Sequence, residues 1–518
     1  MKFGAICCLY DDIEYLDVFL HPIVNHLNEI LFLISDVNWK KEKTNNSRTL
    51  EKIKELKSKY SNITLIQKYW DNEVDQRNFG LFYFYKKKFE YSFIIDTDEI
   101  YKEQHFKNII KFIKSNPKIS AFHIEWNTYW KKEYYRINPR ENFKPVIVVK
   151  TNSFLFIRER QGTTSIIRNE KAILKSDGDY NGILIPSKIA ICYHLSYARD
   201  DDFIRKKIGI YKYILNIVPD WYEDIWLKWT PKMTNLHPVT PPQYQIAIKE
   251  DLLNFPIQLI SFIKNERLSK RKCSIVILNW NSCDLLKRCI ELIKKHTKRE
   301  YEIIVVDNGS TKDDSVEFIK SLDCKMIYNE KNLGFSGGIN SALRYLKDSD
   351  VCLLNVDAEV TEEWLESMYK TLKNNPFCGL VSSKGNEVEP WNSMFKEINN
   401  DMEVSVCPAY CLLIMKEVID KIGWLDPIYE VGGYEDNDYC LRAQLAGYSV
   451  MISHNSFVKH KADHPVFKKN DLDVFENQEK NKKKFNDKIA NILLGYRRFY
   501  DFYKNEEIAK HFGLKIKQ

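Results

Sequence analysis

No apolar run in this 518-residue chain approaches the ~20 residues needed to span a bilayer. Membrane contact is therefore expected to be peripheral at most. No leader is expected either, because Met1-Lys2-Phe3 opens a short apolar run that meets Asp11 and Asp12 at once. The twelve cysteines have neither zinc spacing nor the density of a disulfide-stapled scaffold. Several stand in or beside apolar runs (Cys7, Cys8, Cys192, Cys273, Cys352, Cys411), which predicts reduced core thiols and a cytoplasmic compartment. The excess of one charge sign over the other is also small. A net +7 spread over so long a chain, with no basic-aromatic module, argues against a nucleic-acid partner.

What is present is material for two or three full cores. Phe3 to Leu9, Ile30 to Ile34 and Ile63 to Gln67 read as strands. Helical stretches at Ile13 to Leu27 and Arg48 to Tyr60 separate them. This β-α-β-α-β succession predicts α/β architecture with a mostly parallel sheet. Ser92 to Glu99 then runs from a buried strand into Asp96-Thr97-Asp98-Glu99, whose carboxylates are expected to emerge at the strand's carboxyl end. Asp96 and Asp98, on the same side by alternation, make a hard oxygen site suited to Mg²⁺ or Mn²⁺, which in turn holds phosphate. Later stretches read as a helix at His105 to Ser115, a strand at Lys188 to His194 and a helix at Phe203 to Leu215.

A proline cluster at 231–242, a helix at Tyr244 to Ile263 and a basic run at Lys264 to Lys272, read as a solvated connector, lead to Cys273, where the pattern begins again. Strands end at Asn279, at Asp307 and at Asn355-Val356-Asp357, and the glycine turn Asn332 to Asn340 opens a helix. Asp36 corresponds to Asp307, Asn78 to Asn340, Asp98 to Asp357 and His194 to His460. Each pair is about 260–270 residues apart, the mark of an internal repeat. The expected organisation is a domain over 1–230, a linker over 231–272, a second domain over 273–465 and a basic helical tail over 466–518.

Asp307, at a strand's end before a tight turn, can accept a hydrogen bond from a pyrimidine N3–H. The glycines of 332–340 allow close backbone approach, and the helix they open favours anions. Gly433-Tyr434-Glu435-Asp436 precedes another helix. Asp436 is the first candidate for a general base that takes a proton from an attacking hydroxyl, and Glu435 the second. His460 ends a strand and can complete a metal's ligand set beside Asp357.

These motifs resemble the family 2 glycosyltransferases, inverting enzymes with the GT-A fold. The second half resembles the rhamnosyltransferase-type members. The residues that carry the likeness are Ser-Ile-Val-Ile-Leu-Asn-Trp-Asn at 274–281, Val-Val-Asp-Asn-Gly-Ser at 305–310, Asn-Leu-Gly-Phe-Ser-Gly-Gly-Ile-Asn at 332–340, Leu-Asn-Val-Asp at 354–357 and Tyr-Glu-Asp-Asn-Asp-Tyr-Cys-Leu-Arg at 434–442. The resemblance implies two tandem GT-A domains, with Asp307 on the nucleotide base and Asp357 on the metal and diphosphate. Asp436 then takes the acceptor proton, and Asn279, Asn332, Gly334, Gly338 and Asn355 line the donor. Asn355 stands where the family's Asp-x-Asp begins with a carboxylate.

The first half resembles the family's β-glycosyl-transferring branch through Gln76-Arg77-Asn78, Ile95-Asp96-Thr97-Asp98-Glu99 and Tyr193-His194-Leu195-Ser196-Tyr197. There the implied donor residues are Asp36, Arg77, Asn78 and Asp96, and the implied metal ligands Asp98 and His194. Glu125 is the candidate base, and Glu223-Asp224 reads as surface. The implied donors are UDP- or dTDP-sugars, with dTDP-rhamnose the expectation for the second half. The implied acceptor is a glycan or glycolipid, and the implied activity bifunctional transfer. Two other readings are a chain with one catalytic half and one binding or scaffold half, and a nucleotidyltransferase. The second is disfavoured because residues 4–12 and 274–284 hold no glycine-rich loop with a basic residue.

Overall fold

The structure, a computed structural model, describes residues 1–9, 12–37, 41–43, 45–152, 154–158, 161–168, 171–174, 181–209, 216–346, 348–385, 399–460, 466 and 474–503. The chain divides into two compact units, Met1–Ile263 and Lys264–Gln518.

In the first unit, seven strands form one sheet. Their order across it is Ile63–Lys68, Glu29–Ser35, Phe3–Leu9, Tyr91–Ile94, Val146–Lys150, Ala121–His123 and Gly182–Leu184. Glu29–Ser35 is buried at every position and Phe3–Leu9 at six of seven. Such continuous burial is how a strand reads when both faces of its sheet are covered. Val146–Lys150 runs antiparallel to both neighbours, and the other adjacent pairs are parallel. A second sheet joins Ile246–Lys249, Tyr135–Asn138, Trp126–Trp130, Cys192–Tyr197 and Glu99–Ile100.

The second unit repeats this arrangement. Its order is Lys325–Tyr328, Tyr301–Asp307, Cys273–Asn279, Asp350–Asn355, Cys411–Ile414, Cys378–Lys384 and Ser449–His460, with Ala358–Val360 at the edge. Numbered along the chain, the seven principal strands of both sheets run third, second, first, fourth, sixth, fifth, seventh. The sixth is antiparallel to its neighbours in both, and the fifth and seventh are parallel in both. The order reverses between the first and fourth strands. The carboxyl ends of those strands flank the crevice where open α/β sheets bind ligands. The α/β, mostly parallel fold expected from the sequence is what forms, with the tail helix Val474–Tyr503 following it.

Five local expectations are corrected. The helix expected at Ile13 to Leu27 is only Leu16–Leu20 followed by a 3₁₀ turn at Val24–His26. Pro22 lies between them and cannot donate to a continuing helix. The helix expected from Tyr244 begins only at Ile257, after Pro256. Ile246–Lys249 is instead a strand paired with Tyr135–Asn138, and Ala247 is buried in an aromatic core with Trp130, Trp221, Trp226 and Tyr244. Residues 231–263, expected as linker, therefore belong to the first unit.

The basic run Lys264 to Lys272 is not a solvated connector. Lys264 is buried and donates to the carbonyls of Asn375 at 2.8 Å and Cys378 at 2.5 Å. Arg271 donates to both carboxylate oxygens of Glu417 at 2.7 and 2.8 Å. Burial works against the Glu417 charge, yet Arg271 and Arg267 outweigh it and hold its carboxyl down at about 2. Finally, Glu99 does not emerge with its neighbours. It is buried, in the short strand that pairs with His194. The helix expected to run to Leu215 is present as Asp201–Gly209, and residues 210–215 lie outside the described set, as do 504–518 of the tail.

All twelve cysteines are free thiols, ten of them buried. Among the described residues, no helix is long and apolar enough to cross a membrane. Glu223 and Asp224 are exposed, as read.

Candidate active site

In the second unit, two neighbouring strands end together. Asn279 and Asp307, their last residues, are paired in register and buried. Asn279 Nδ2 donates to Asp307 Oδ1 at 3.1 Å, and the Ser310 amide donates to Asp307 Oδ2 at 3.0 Å. The turn between Asp307 and Ser310 needs Gly309, which has φ +80°. A Cβ there would stand 2.8 Å from the Lys331 backbone.

Asn308 links this turn to the glycine turn. Its Nδ2 donates to Asn332 Oδ1 at 2.8 Å and to the Gly334 carbonyl at 3.2 Å, while its Oδ1 accepts from the Leu333 amide at 3.1 Å. Asn332 Oδ1 also takes the Gly334 amide at 2.8 Å. Gly334, at φ +70°, opens the helix Gly334–Leu343. Gly338 lies one turn on, packed so closely on Leu278 that a Cβ would run into that side chain. Its place is helix–strand packing beneath the turn.

The fourth strand ends at Asn355, and Asp357 follows in a turn. His460 stands opposite Ala358, the residue after Asp357. Its Nε2 lies 3.2 Å from Asp357 Oδ1 and 3.3 Å from Asn355 Nδ2, and its ring stacks on Tyr410 with centroids 4.7 Å apart. Asp357 and His460 are both mostly buried here. A carboxylate oxygen and an imidazole nitrogen facing one another are borderline-hard donors that suit Mn²⁺ or Mg²⁺, with substrate phosphates completing the shell. The residues present fit such an ion. Among the described residues, no group of three or more His, Cys, Asp and Glu side chains converges on one point.

Glu435 and Asp436 open the helix Glu435–Leu445. Asp436 Oδ2 accepts from the Ala409 amide at 3.3 Å, and its Oδ1 from the Asn437 amide at 2.8 Å. Burial pushes its carboxyl up from the ordinary value. Glu435 is 6% exposed and its Oε2 has no hydrogen-bond partner. Burial first, and the neighbouring Asp436 second, push it up to about 8. Adjacent carboxyls with raised proton affinity are what a base working near neutral pH requires.

The first unit places Asp36, Asp96 and Asp98 after the matching strands but partners its candidates differently. Asp36 follows the second strand and accepts from Gln67 Nε2 at 2.7 Å. Arg77 is buried, with Nε on Glu73 at 2.6 Å and NH2 on both Asp96 oxygens at 3.1 and 3.2 Å. Asn78 is engaged with the Phe156 backbone. Asp98 sets its charge beside Arg199 and Lys207. Arg199 in turn grips Asp12 at 2.9 Å and Glu14 at 2.8 Å. His194 pairs in register with Glu99, as His460 does with Ala358, but stacks on Trp126 at 3.8 Å and contacts Thr128 Oγ1 at 3.2 Å. Glu125 forms an ion pair with Arg140 at 3.1 Å. With Asp96 turned to a guanidinium and cations beside Asp98, this set fits a divalent ion less well than Asp357 and His460 do.

Asn308, Ser310 and Asn281 carry no role in the sequence pattern, although all three stand in its motifs at 305–310 and 274–281. Arg199, which buries its guanidinium among acids, lies two residues beyond the Tyr193–Tyr197 motif. Asn481 of the tail helix was not foreseen. It stands in a stretch with several other asparagines, and nothing in the pattern singles it out.

A family model described as Glycosyl transferase family 2 matches residues 274–423. The low-salt glycan biosynthesis hexosyltransferase Agl10 of Haloferax volcanii is 25% identical over 200 residues, covering 34% of this chain and 63% of that protein. The poly(ribitol-phosphate) beta-glucosyltransferase of Bacillus spizizenii is 31% identical over 144 residues, covering 26% of this chain and 22% of that one. The matches span 23% to 66% of the length of the first three curated relatives. Among solved structures, S. aureus TarS aligns with TM-score 0.32 and 20% identity, over 37% of this chain and 36% of that one. The match to the Glycosyl transferase family 2 model, at residues 274–423, lies within the second unit.

Proposed function

We propose that the chain is a bifunctional inverting glycosyltransferase that moves sugars from UDP- or dTDP-linked donors to a growing glycan or glycolipid. The observation that carries this reading is the placing of acids in the second unit: Asp307 locked by Asn279 and Ser310, and Asp357 against His460, follow the two strands that flank Cys273–Asn279, and Glu435-Asp436 open a helix. Asp307 would take the base N3–H. Asp357 and His460 would hold Mn²⁺ or Mg²⁺, which neutralises charge on the leaving diphosphate when bound. Asp436 would take the proton of the acceptor hydroxyl as that oxygen attacks the anomeric carbon, with inversion. Relatives named as a glycan hexosyltransferase and a glucosyltransferase support a hexose donor. The rhamnosyl likeness of the second half makes dTDP-rhamnose the first donor to try. The site is expected in the cytoplasm, at most peripheral to a membrane.

The repeated strand order supports a second transfer site in the first unit. A specific observation favours a binding role there instead. Arg77 holds both oxygens of Asp96, and Glu125, the candidate base, is tied to Arg140. A screen of UDP- and dTDP-sugars with the full chain, scored by nucleotide release and by product, decides between these. Asp357→Ala and Asp98→Ala should abolish different transfers. Loss of one and the same step in both variants rules out two sites, and no release from any donor rules out the whole reading.

A further inference from the structure

The backbone leading into Glu435 is unusual at three of four consecutive residues. Val431 has φ +61°, Gly433 φ +101° and Tyr434 φ +72°. A β-branched residue in the left-handed region is a genuine outlier, and it persists only where its surroundings hold it. Val431 also touches the donor side. Its carbonyl accepts from the Phe335 amide at 2.9 Å, and its amide nitrogen is where a Cβ on Gly334 would make a 3.0 Å contact.

What holds this turn comes from the tail helix, outside the family-matched residues. Asn481 is 1% exposed. Its Nδ2 donates to the Glu430 carbonyl at 2.9 Å and to the Gly432 carbonyl at 3.1 Å, from the residues on either side of Val431. Neighbours on the same helix extend the seam. Lys484 donates to the Ile428 carbonyl at 2.9 Å, Lys488 reaches Asp426 at 2.7 Å and Asp438 at 2.5 Å, and the Phe485 ring packs on Tyr434 with centroids 5.7 Å apart. Gln478 lies over Gly433, 3.3 Å from where a Cβ would stand.

We propose that Asn481 is a positioning residue of the second unit's site, clamping the Glu430 and Gly432 carbonyls so that the left-handed turn aims Glu435 and Asp436. This rests on the transferase reading given above. Asn481 touches no reacting atom. It acts by fixing the entry into a helix whose first two residues carry the acids, and misplacement of such groups by an ångström costs reaction rate. The donor side has its own fastenings, with Asn279 on Asp307 and Asn308 on the glycine turn. The clamp is therefore expected to govern turnover more than donor affinity.

The test compares the full chain with Asn481→Asp, which keeps the shape and removes both donated hydrogens, and with Asn481→Ala. Lys480→Ala, an exposed change on the same helix, is the control. Expected are a kcat about 10- to 100-fold lower per folded molecule, a donor KM changed less than about threefold, and amide exchange of residues 430–436 at least about tenfold faster. A melting temperature that falls while kcat per folded molecule holds would make Asn481 merely structural and overturn the proposal. A fall in kcat without faster local exchange would overturn it as well. If the unaltered chain transfers no sugar, the transferase reading fails while exchange at 430–436 still decides the clamp. Faster exchange supports it and unchanged exchange refutes it.

Discussion

Asn340 and Leu425 exchange a matched pair of hydrogen bonds. Asn340 Nδ2 donates to the Leu425 carbonyl at 2.8 Å, and the Leu425 amide donates to Asn340 Oδ1 at 3.1 Å. The first unit does the same with Asn78 and Phe156, both bonds at 2.9 Å. In each case the asparagine sits on the helix before the fourth strand and satisfies both polar groups of a buried residue's backbone. The sequence correspondence of Asn78 with Asn340 thus has a structural counterpart. Removing either side chain deletes both hydrogen bonds to a buried backbone, at about 1–2 kcal/mol for each. Asn78→Ala and Asn340→Ala are both expected to lower stability by about 2–4 kcal/mol in urea unfolding. Asn78→Ala should leave donor affinity unchanged, because its amide is already spent on Phe156. A weakened donor KM with unaltered stability would contradict this.

The sequence made the repeat legible because strand ends are written in sharp changes of chemistry, such as Ile95 to Asp96 and Val306 to Asp307. It made the second site legible because Asp307, Asp357 and Glu435-Asp436 are acids placed where apolar strands stop or helices begin. The segment Tyr244 to Ile263 misled because its short apolar alternation, with Ala247 turned inward, suits a strand as well as a helix. Lys264 misled because a lysine reads as solvated until three carbonyls are found to surround its ammonium. The role of Asn481 depends on a contact between residues about 50 positions apart in the chain, which no local pattern encodes.

Glu435 couples stability to pH in a direction opposite to most acids. Unfolded, it ionises at its ordinary 4.5, whereas in the fold burial and Asp436 push it up to about 8. The folded chain holds a proton that the unfolded chain releases. Its contribution is therefore complete below about 4.5 and is lost as pH rises through about 8. Glu435→Gln, neutral at every pH, is expected to flatten this part of the melting-temperature profile and to melt above the unaltered chain at pH 9. An unchanged profile would show that Glu435 is not held protonated. Transfer itself should have an acid limb above the ordinary aspartate range, since burial also raises Asp436, and Asp436→Asn should abolish it.

Asp357 and His460 face each other at 3.2 Å, so the two should act together on a divalent ion. Asp357→Ala is expected to remove Mn²⁺ binding measured calorimetrically in the presence of UDP. His460→Ala should weaken it about 10- to 100-fold, because the imidazole also fixes the carboxylate's orientation. Equal Mn²⁺ isotherms for Asp357→Ala and the unaltered chain would remove the ion from this site.

Two glycines of one helix should separate packing from function. Gly338 lies against Leu278, and an added Cβ meets that side chain at once. The Cδ atoms of Leu278 must move aside for that Cβ, so Gly338→Ala is expected to cost about 1–3 kcal/mol through overpacking. Donor KM per folded molecule should be nearly unchanged. Gly334 has φ +70°, and its Cβ would press on the Val431 amide nitrogen at 3.0 Å. Alanine there is strained twice, by its own backbone and by a neighbour in the turn that precedes Glu435. Gly334→Ala should therefore lose turnover by more than its loss of stability explains, since both the donor turn and the approach to the acids must move. Urea unfolding and steady-state kinetics on the two variants give opposite rankings if the helix start is functional and its second turn is packing. The same ranking in both measurements would mean that Gly334 serves the fold alone.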